Sequence, residues 1–146
     1  MIFDDEKRAY DTYIKECGHD RYFEMALELC KKERIEFVLG FSAGASVAYR
    51  LSCVGIKSFK EVVCFYPSQI RNHLDLNPIV KTSIIFAKKE SSFDIKEVSD
   101  ILIGKTNTSV EISSYEHGFM NEKSINYKKE AFNKYIKLLS SKLNKE

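Results

Sequence analysis

The sequence is poor in residues that bind metals. It has three histidines in 146 residues, and its four cysteines include no Cys-x-x-Cys pair. Zinc sites in proteins are built from closely spaced cysteines and histidines, so the sequence argues against a zinc site. In a reducing compartment, we expect the four cysteines to act as small apolar residues.

Long apolar runs and blocks of positive charge are also missing. The first ten residues, MIFDDEKRAY, are acidic and match neither a signal peptide nor a membrane helix, so we expect a cytoplasmic protein with no membrane contact. The net charge is +2, and the charges alternate in sign, so nucleic acid is not indicated as a partner. The sequence shows no repeat, low-complexity tract or linker, and we predict one domain over residues 1–146.

Segments typical of helices and strands alternate along the chain. Residues 4–33 predict two helices, the second with Asp20 as its N-cap. The apolar runs IEFVLGF, EVVCFYP, TSIIFA and TSVEISSYE then predict four strands, separated by helices, and a last helix spans about residues 124–143. This alternation predicts an α/β fold, a three-layer sandwich with a mainly parallel sheet of about four strands flanked by helices.

Residues 40–44, Gly-Phe-Ser-Ala-Gly, lie between the first predicted strand and a helix. This G-x-S-x-G pattern is typical of a sharp turn that exposes a nucleophilic serine above a sheet, with small neighbours that let strand and helix pass closely. We therefore interpret Ser42 as a candidate nucleophile and the backbone N–H of Ala43 as an oxyanion donor. The structural alternative is a tight turn in which Ser42 only caps a helix.

A serine nucleophile needs a base, and the base needs an acid that orients it. His117 directly follows the fourth predicted strand, at the sheet edge where Ser42 lies. After the third strand, Glu90 and Asp94 compete as the acid. Asp94 precedes a helix and has Glu97 three residues on, which is typical of a capping box, so we favour Glu90.

The loop after the second predicted strand offers candidate substrate contacts. Tyr66 follows that strand directly, and Arg71 could pair with a substrate carboxylate. The alternative for both is an ordinary surface loop.

These motifs together resemble the dienelactone hydrolase family of the α/β-hydrolase superfamily. The resemblance runs from about residue 35 to the C-terminus and rests on GFSAGAS, VVCFYPSQI, SIIFAKKESSF and YEHGFMN followed by YKKEAFNKYIKLL. It implies Ser42 as nucleophile, His117 as base and Glu90 as acid. It also implies hydrolysis of small esters or lactones without a metal or organic cofactor.

Two features depart from the family pattern. The namesake enzymes have cysteine as the nucleophile where this chain has Ser42. Family members also place several strands before the strand–serine–helix turn, which is called the nucleophile elbow. A loop after one of these strands supplies the second oxyanion N–H. We therefore expect a truncated α/β-hydrolase-like fold.

Three explanations of the short front stay open: a C-terminal portion of a longer family fold, a partner such as a second copy on the exposed sheet edge, or a trimmed fold with reduced activity. The alternative function is a weak or inactive hydrolase-like domain that binds a ligand or partner. A flavodoxin-like nucleotide binder is a third interpretation, which leaves the motif around His117 without a role.

Overall fold

A computed structural model describes residues 18–144. The predicted first helix, before residue 18, lies outside these residues. In chain order the elements are α1 (His19–Lys32), β1 (Phe37–Phe41), α2 (Ala43–Ser52), β2 (Glu61–Phe65), a 3₁₀ turn (Ile70–His73), β3 (Lys81–Phe86), α3 (Ile95–Ile103), β4 (Thr108–Ile112) and α4 (Lys129–Leu143).

The four strands form one parallel sheet in the order β1-β2-β3-β4. Phe41 of β1 is in register with Phe65 of β2, and Phe86 of β3 is in register with Ile112 of β4. Parallel neighbours need crossover connections, and α2 and α3 provide two of them. Because all strands run the same way, their carboxyl ends meet at one edge of the sheet.

Helices cover both faces of the sheet, which gives three layers. Side chains of β2 alternate between the faces: Val62 and Cys64 pack with α1, α2 and α3, whereas Val63 and Phe65 pack with Tyr135 of α4. All five residues of β2 are buried, as the apolar run EVVCF predicts for a strand covered on both sides. The predicted fold class is therefore confirmed.

Two element boundaries differ from the prediction. Helix α1 begins at His19, with Gly18 as N-cap at φ 74°, so the predicted cap Asp20 lies in the first turn. There it forms an ion pair with Arg50 at 3.0 Å, which joins α1 to α2. The last helix begins at Lys129 rather than near residue 124, because turns occupy the residues before it, with Ser124 N–H donating to the Asn121 carbonyl at 2.9 Å.

Strand β1 is an edge strand of the sheet within residues 18–144. The Ser42 N–H donates to the Phe65 carbonyl at 2.9 Å, and the Glu36 carbonyl accepts from Lys60 N–H at 2.6 Å. Backbone groups in a parallel ladder alternate in direction along each strand. The N–H and C=O groups of the odd-numbered residues of β1 therefore face away from β2.

Candidate active site

The turn between β1 and α2 places Ser42 at the carboxyl edge of the sheet. Ser42 has φ 54° and ψ −119°, in the left-handed half of conformational space that non-glycine residues rarely adopt. A Cβ on Gly40 would lie 2.4 Å from the Gly44 carbonyl oxygen, so only glycine fits where strand and helix cross. The surrounding packing holds a strained serine with its side chain above the sheet.

Three side chains from separate loops meet at this edge. The Ser42 Oγ lies 2.9 Å from His117 Nε2, and His117 Nδ1 lies 2.6 Å from a Glu90 carboxylate oxygen. With its proton on Nδ1, the imidazole donates to Glu90 and its Nε2 accepts from the Ser42 hydroxyl. Glu90 is largely buried, with 10% of its side chain exposed, so its interaction with His117 is only weakly screened.

The structure separates the two acids that the sequence left in competition. Asp94 is the N-cap of α3, and its carboxylate accepts from Lys96 N–H at 3.0 Å and Glu97 N–H at 3.3 Å. The predicted helix cap is thus present, and Glu90 is the carboxylate that contacts His117.

Ala43 is the first residue of α2 and follows Ser42 directly. Within residues 18–144, its N–H donates to no backbone carbonyl, whereas the N–H groups of Ala45 and Ser46 both donate to the Ser42 carbonyl. The first N–H groups of a helix carry partial positive charge. The Ala43 N–H can therefore stabilise negative charge beside Ser42.

A cavity of about 660 Å³ opens over Ser42 and His117. Of the two predicted substrate contacts, Tyr66 lines it, with its ring 4.7 Å from the His117 ring. Arg71 does not line it: its guanidinium donates to the Ser68 carbonyl at 2.7 Å and to Ser92 Oγ at 3.3 Å.

The segment after His117 contributes contacts that sequence reasoning missed. Asn126 Nδ2 donates to the His117 carbonyl at 2.8 Å, and the Asn126 N–H donates to Ser124 Oγ at 3.1 Å. Gly118 has φ 95°, and a Cβ there would lie 2.6 Å from Ser124 Oγ. Residues 117–126 carry no helical or strand period, so the only sequence signal was their polar composition beside His117.

Two other histidines and two cysteines are chemically able to act as a base or a nucleophile, but they lie away from the cavity. Desolvation, opposed by the charge of Asp20, lowers the pKa of both His19 and His73. Desolvation raises the pKa of the Cys53 and Cys64 thiols, which disfavours their nucleophilic thiolate forms. None of these four residues lines the cavity over Ser42.

Over residues 18–144, no group of three or more histidine, cysteine, aspartate or glutamate side chains is arranged to hold a metal ion. In the same part of the chain, every helix is too short or too polar to cross a membrane.

The structure is an α/β fold of the hydrolase type. Its parallel sheet, its strand–serine–helix turn and the order of serine, carboxylate and histidine along the chain are typical of that fold. The family model of the dienelactone hydrolase family matches residues 7–145, and the chain belongs to that family. It is also similar to the "Uncharacterized protein YczH" of Bacillus subtilis (strain 168), with 30% identity over 144 residues, 94% of this chain and 69% of the relative. Family membership supports a hydrolase in general.

Proposed function

We propose that the protein is a serine hydrolase that cleaves small carboxylic esters or lactones, with Ser42 as nucleophile, His117 as base and Glu90 as acid. The observation that carries the proposal is the continuous hydrogen-bonded series from Ser42 through His117 to Glu90, with distances of 2.9 and 2.6 Å. Its position on a strained turn above a cavity of about 660 Å³ adds support, because a substrate carbonyl has room to reach the hydroxyl.

The reaction proceeds through an acyl-enzyme. His117 Nε2 takes the Ser42 proton as Oγ attacks the ester carbonyl, and the Ala43 N–H donates to the oxyanion. Glu90 holds the tautomer of His117 and stabilises the imidazolium. The imidazolium then protonates the leaving alcohol, the C–O bond breaks, and a water that His117 deprotonates releases the acid and restores Ser42.

The alternative is a catalytically weak or inactive hydrolase-like domain that binds a ligand or partner. It is favoured by the edge position of β1 in the described sheet, because the second oxyanion donor of related folds comes from a loop before the elbow. Loss of one such donor lowers kcat by about 10²–10³-fold. The two functions therefore differ in turnover and share the same cavity.

A fluorophosphonate probe separates them, because it forms a covalent bond only with an activated serine, by displacement of fluoride. We expect the intact mass of the protein to increase by one probe adduct. Ser42→Ala and His117→Ala should remove this adduct, and Ser141→Ala, which changes an exposed serine of α4, should keep it. A folded wild-type protein that stays unlabelled, or a label that survives Ser42→Ala, contradicts the proposal.

The homodimer and the cytoplasmic location stay predictions. The homodimer is supported by the outward backbone groups of β1 and by the half-exposed Leu39 and Phe41 beside them. Sedimentation velocity tests it, since Leu39→Pro removes one outward N–H and should shift a dimer to the monomer. Sedimentation as a monomer at all concentrations contradicts it.

A further inference from the structure

The segment that follows His117 forms one wall of the cavity. Six of the ten lining residues come from residues 118–126, and we call this segment the His117 wall. The six are Gly118, Met120, Asn121, Ser124, Ile125 and Asn126.

Each polar side chain of the His117 wall that lines the cavity makes a hydrogen bond within residues 117–126. Asn121 Oδ1 accepts from the Lys123 N–H at 2.9 Å, and Ser124 Oγ accepts from the Asn126 N–H at 3.1 Å. Asn126 Nδ2 donates to the His117 carbonyl at 2.8 Å. These bonds hold the backbone of the wall, on which Met120 and Ile125 present carbon surface to the cavity.

The two apolar residues differ in burial. Met120 is buried against the core beneath the cavity, with 6% of its surface exposed, whereas Ile125 is 72% exposed. Met120 therefore supplies a fixed floor. Ile125 supplies apolar surface that a ligand would remove from water, which is favourable for each carbon buried.

The chemistry decides which part of an ester meets this wall. His117 Nε2 must deliver its proton to the leaving oxygen, so the alcohol part of the substrate lies on the His117 side of the carbonyl. We propose that Met120 and Ile125 form the binding surface for the alcohol group and select esters of uncharged, apolar alcohols. This inference rests on the proposed function, because it takes His117 as the group that protonates the alcohol.

The test compares the hydrolysis of acetates of different alcohols. Hydrolysis is measured by titration of the acetic acid released. Ethyl, butyl and hexyl alcohols have similar acidities, so differences in kcat/KM report binding of the chain rather than leaving-group chemistry. We expect kcat/KM for hexyl acetate to exceed that for ethyl acetate by about tenfold, since each buried methylene contributes up to about fourfold. The kcat/KM for butyl acetate should exceed that for 4-acetoxybutanoate, which carries a carboxylate on the alcohol, by about tenfold.

Ile125→Ser should reduce the hexyl-to-ethyl ratio to about threefold, because it removes most of the exposed carbon surface. Ile103→Ser is the matched control, since Ile103 is an exposed isoleucine at the end of α3. The ratio of ethyl hexanoate to ethyl acetate, which varies only the acyl group, should be the same in wild type and Ile125→Ser. A hexyl-to-ethyl ratio near one, or one that Ile125→Ser leaves unchanged, overturns the inference.

Two further readouts separate this inference from the proposed function. Fluorophosphonate labelling of each variant shows whether Ser42 is active. In the Ser42→Ala protein, which cannot turn substrate over, we expect hexyl acetate to shift the Ile125 methyl resonance and 4-acetoxybutanoate to leave it in place. If hexyl acetate shifts the Ile125 resonance but the wild-type protein is not labelled, the apolar binding surface is supported and the hydrolase function is rejected. If the wild-type protein is labelled but the resonance does not shift, the apolar binding surface is rejected.

Discussion

The turn around Ser42 is held mainly by backbone contacts, whereas the segment that carries His117 adds side-chain hydrogen bonds to its own backbone turns. At the turn, Gly40 lies against the backbone of α2, and the Ser42 N–H and C=O groups bond to other backbone groups. On the His117 side, the carboxylate of Glu90 holds the ring and the amide of Asn126 holds the backbone carbonyl. Ser42 is therefore positioned by the fold, and His117 is positioned by particular side chains as well.

This difference predicts how each half responds to mutation. A change of side chain on the His117 side should alter the activity and leave the fold largely intact, because its contacts lie in loops. A change of backbone packing at the turn should alter stability first, because α2 and β1 belong to the larger core of the protein. Substitutions of Glu90, Gly40, Asn126 and Ser42 test this division.

The largest effect is expected for the charge of Glu90. Glu90→Gln keeps the size of the side chain but removes the carboxylate that fixes the tautomer of His117, and we expect kcat to fall by about 10³–10⁴-fold. Asp94→Asn is the matched control, because asparagine caps a helix about as well as aspartate. It should change kcat and the unfolding midpoint very little, measured by ester hydrolysis and urea titration. Equal losses of kcat in both variants would mean that Glu90 has no special relation to His117.

Gly40→Ala tests the backbone half of the comparison. Its Cβ would lie 2.4 Å from the Gly44 oxygen and 2.7 Å from Ala45 Cα, so strand and helix must separate. We expect the free energy of unfolding to fall by about 3 kcal/mol. Gly104→Ala is the control, because the nearest atom to its Cβ is 3.8 Å away, and it should be neutral or stabilising by up to about 1 kcal/mol. Similar urea midpoints for the two variants would contradict the backbone argument.

The same division explains what the sequence could predict. The elbow was predictable because strand, turn and helix are adjacent in the chain, and because Gly40, Ser42 and Gly44 each have a local reason for their identity. The capping role of Asp94 was predictable because it precedes a helix and has Glu97 three residues on, and this left Glu90 as the carboxylate expected to contact His117.

The His117 wall was not predictable. Its bonds join residues that no periodic pattern relates, and the start of α4 was predicted five residues too early as a result. Arg71 was named from its chemistry alone, and the contacts that direct it to Ser68 and Ser92 depend on tertiary structure.

Asn126→Ala tests the side-chain half of the comparison. It removes the donor to the His117 carbonyl, so the backbone of His117 is free to shift. We expect kcat for ester hydrolysis to fall by about tenfold while KM stays within twofold, because about 1.4 kcal/mol of His117 positioning is lost. Asn72→Ala removes an exposed hydrogen bond from the Asn72 side-chain amide to Gln69 and should leave kcat unchanged. A rise in KM with constant kcat would make Asn126 a binding residue instead.

The smallest effect concerns the strain at Ser42, where the two halves of the site meet. Both Ser42→Gly and Ser42→Ala remove the hydroxyl and its bond to His117, so both should abolish hydrolysis. They differ in the backbone, because glycine adopts φ 54° without strain and alanine does not. Ser42→Gly should therefore unfold at higher urea than Ser42→Ala, by a free energy of about 1 kcal/mol. Equal midpoints would mean that the packing of β1 and α2 imposes no strain on this residue, and that the hydroxyl is exposed by the turn at no cost in stability.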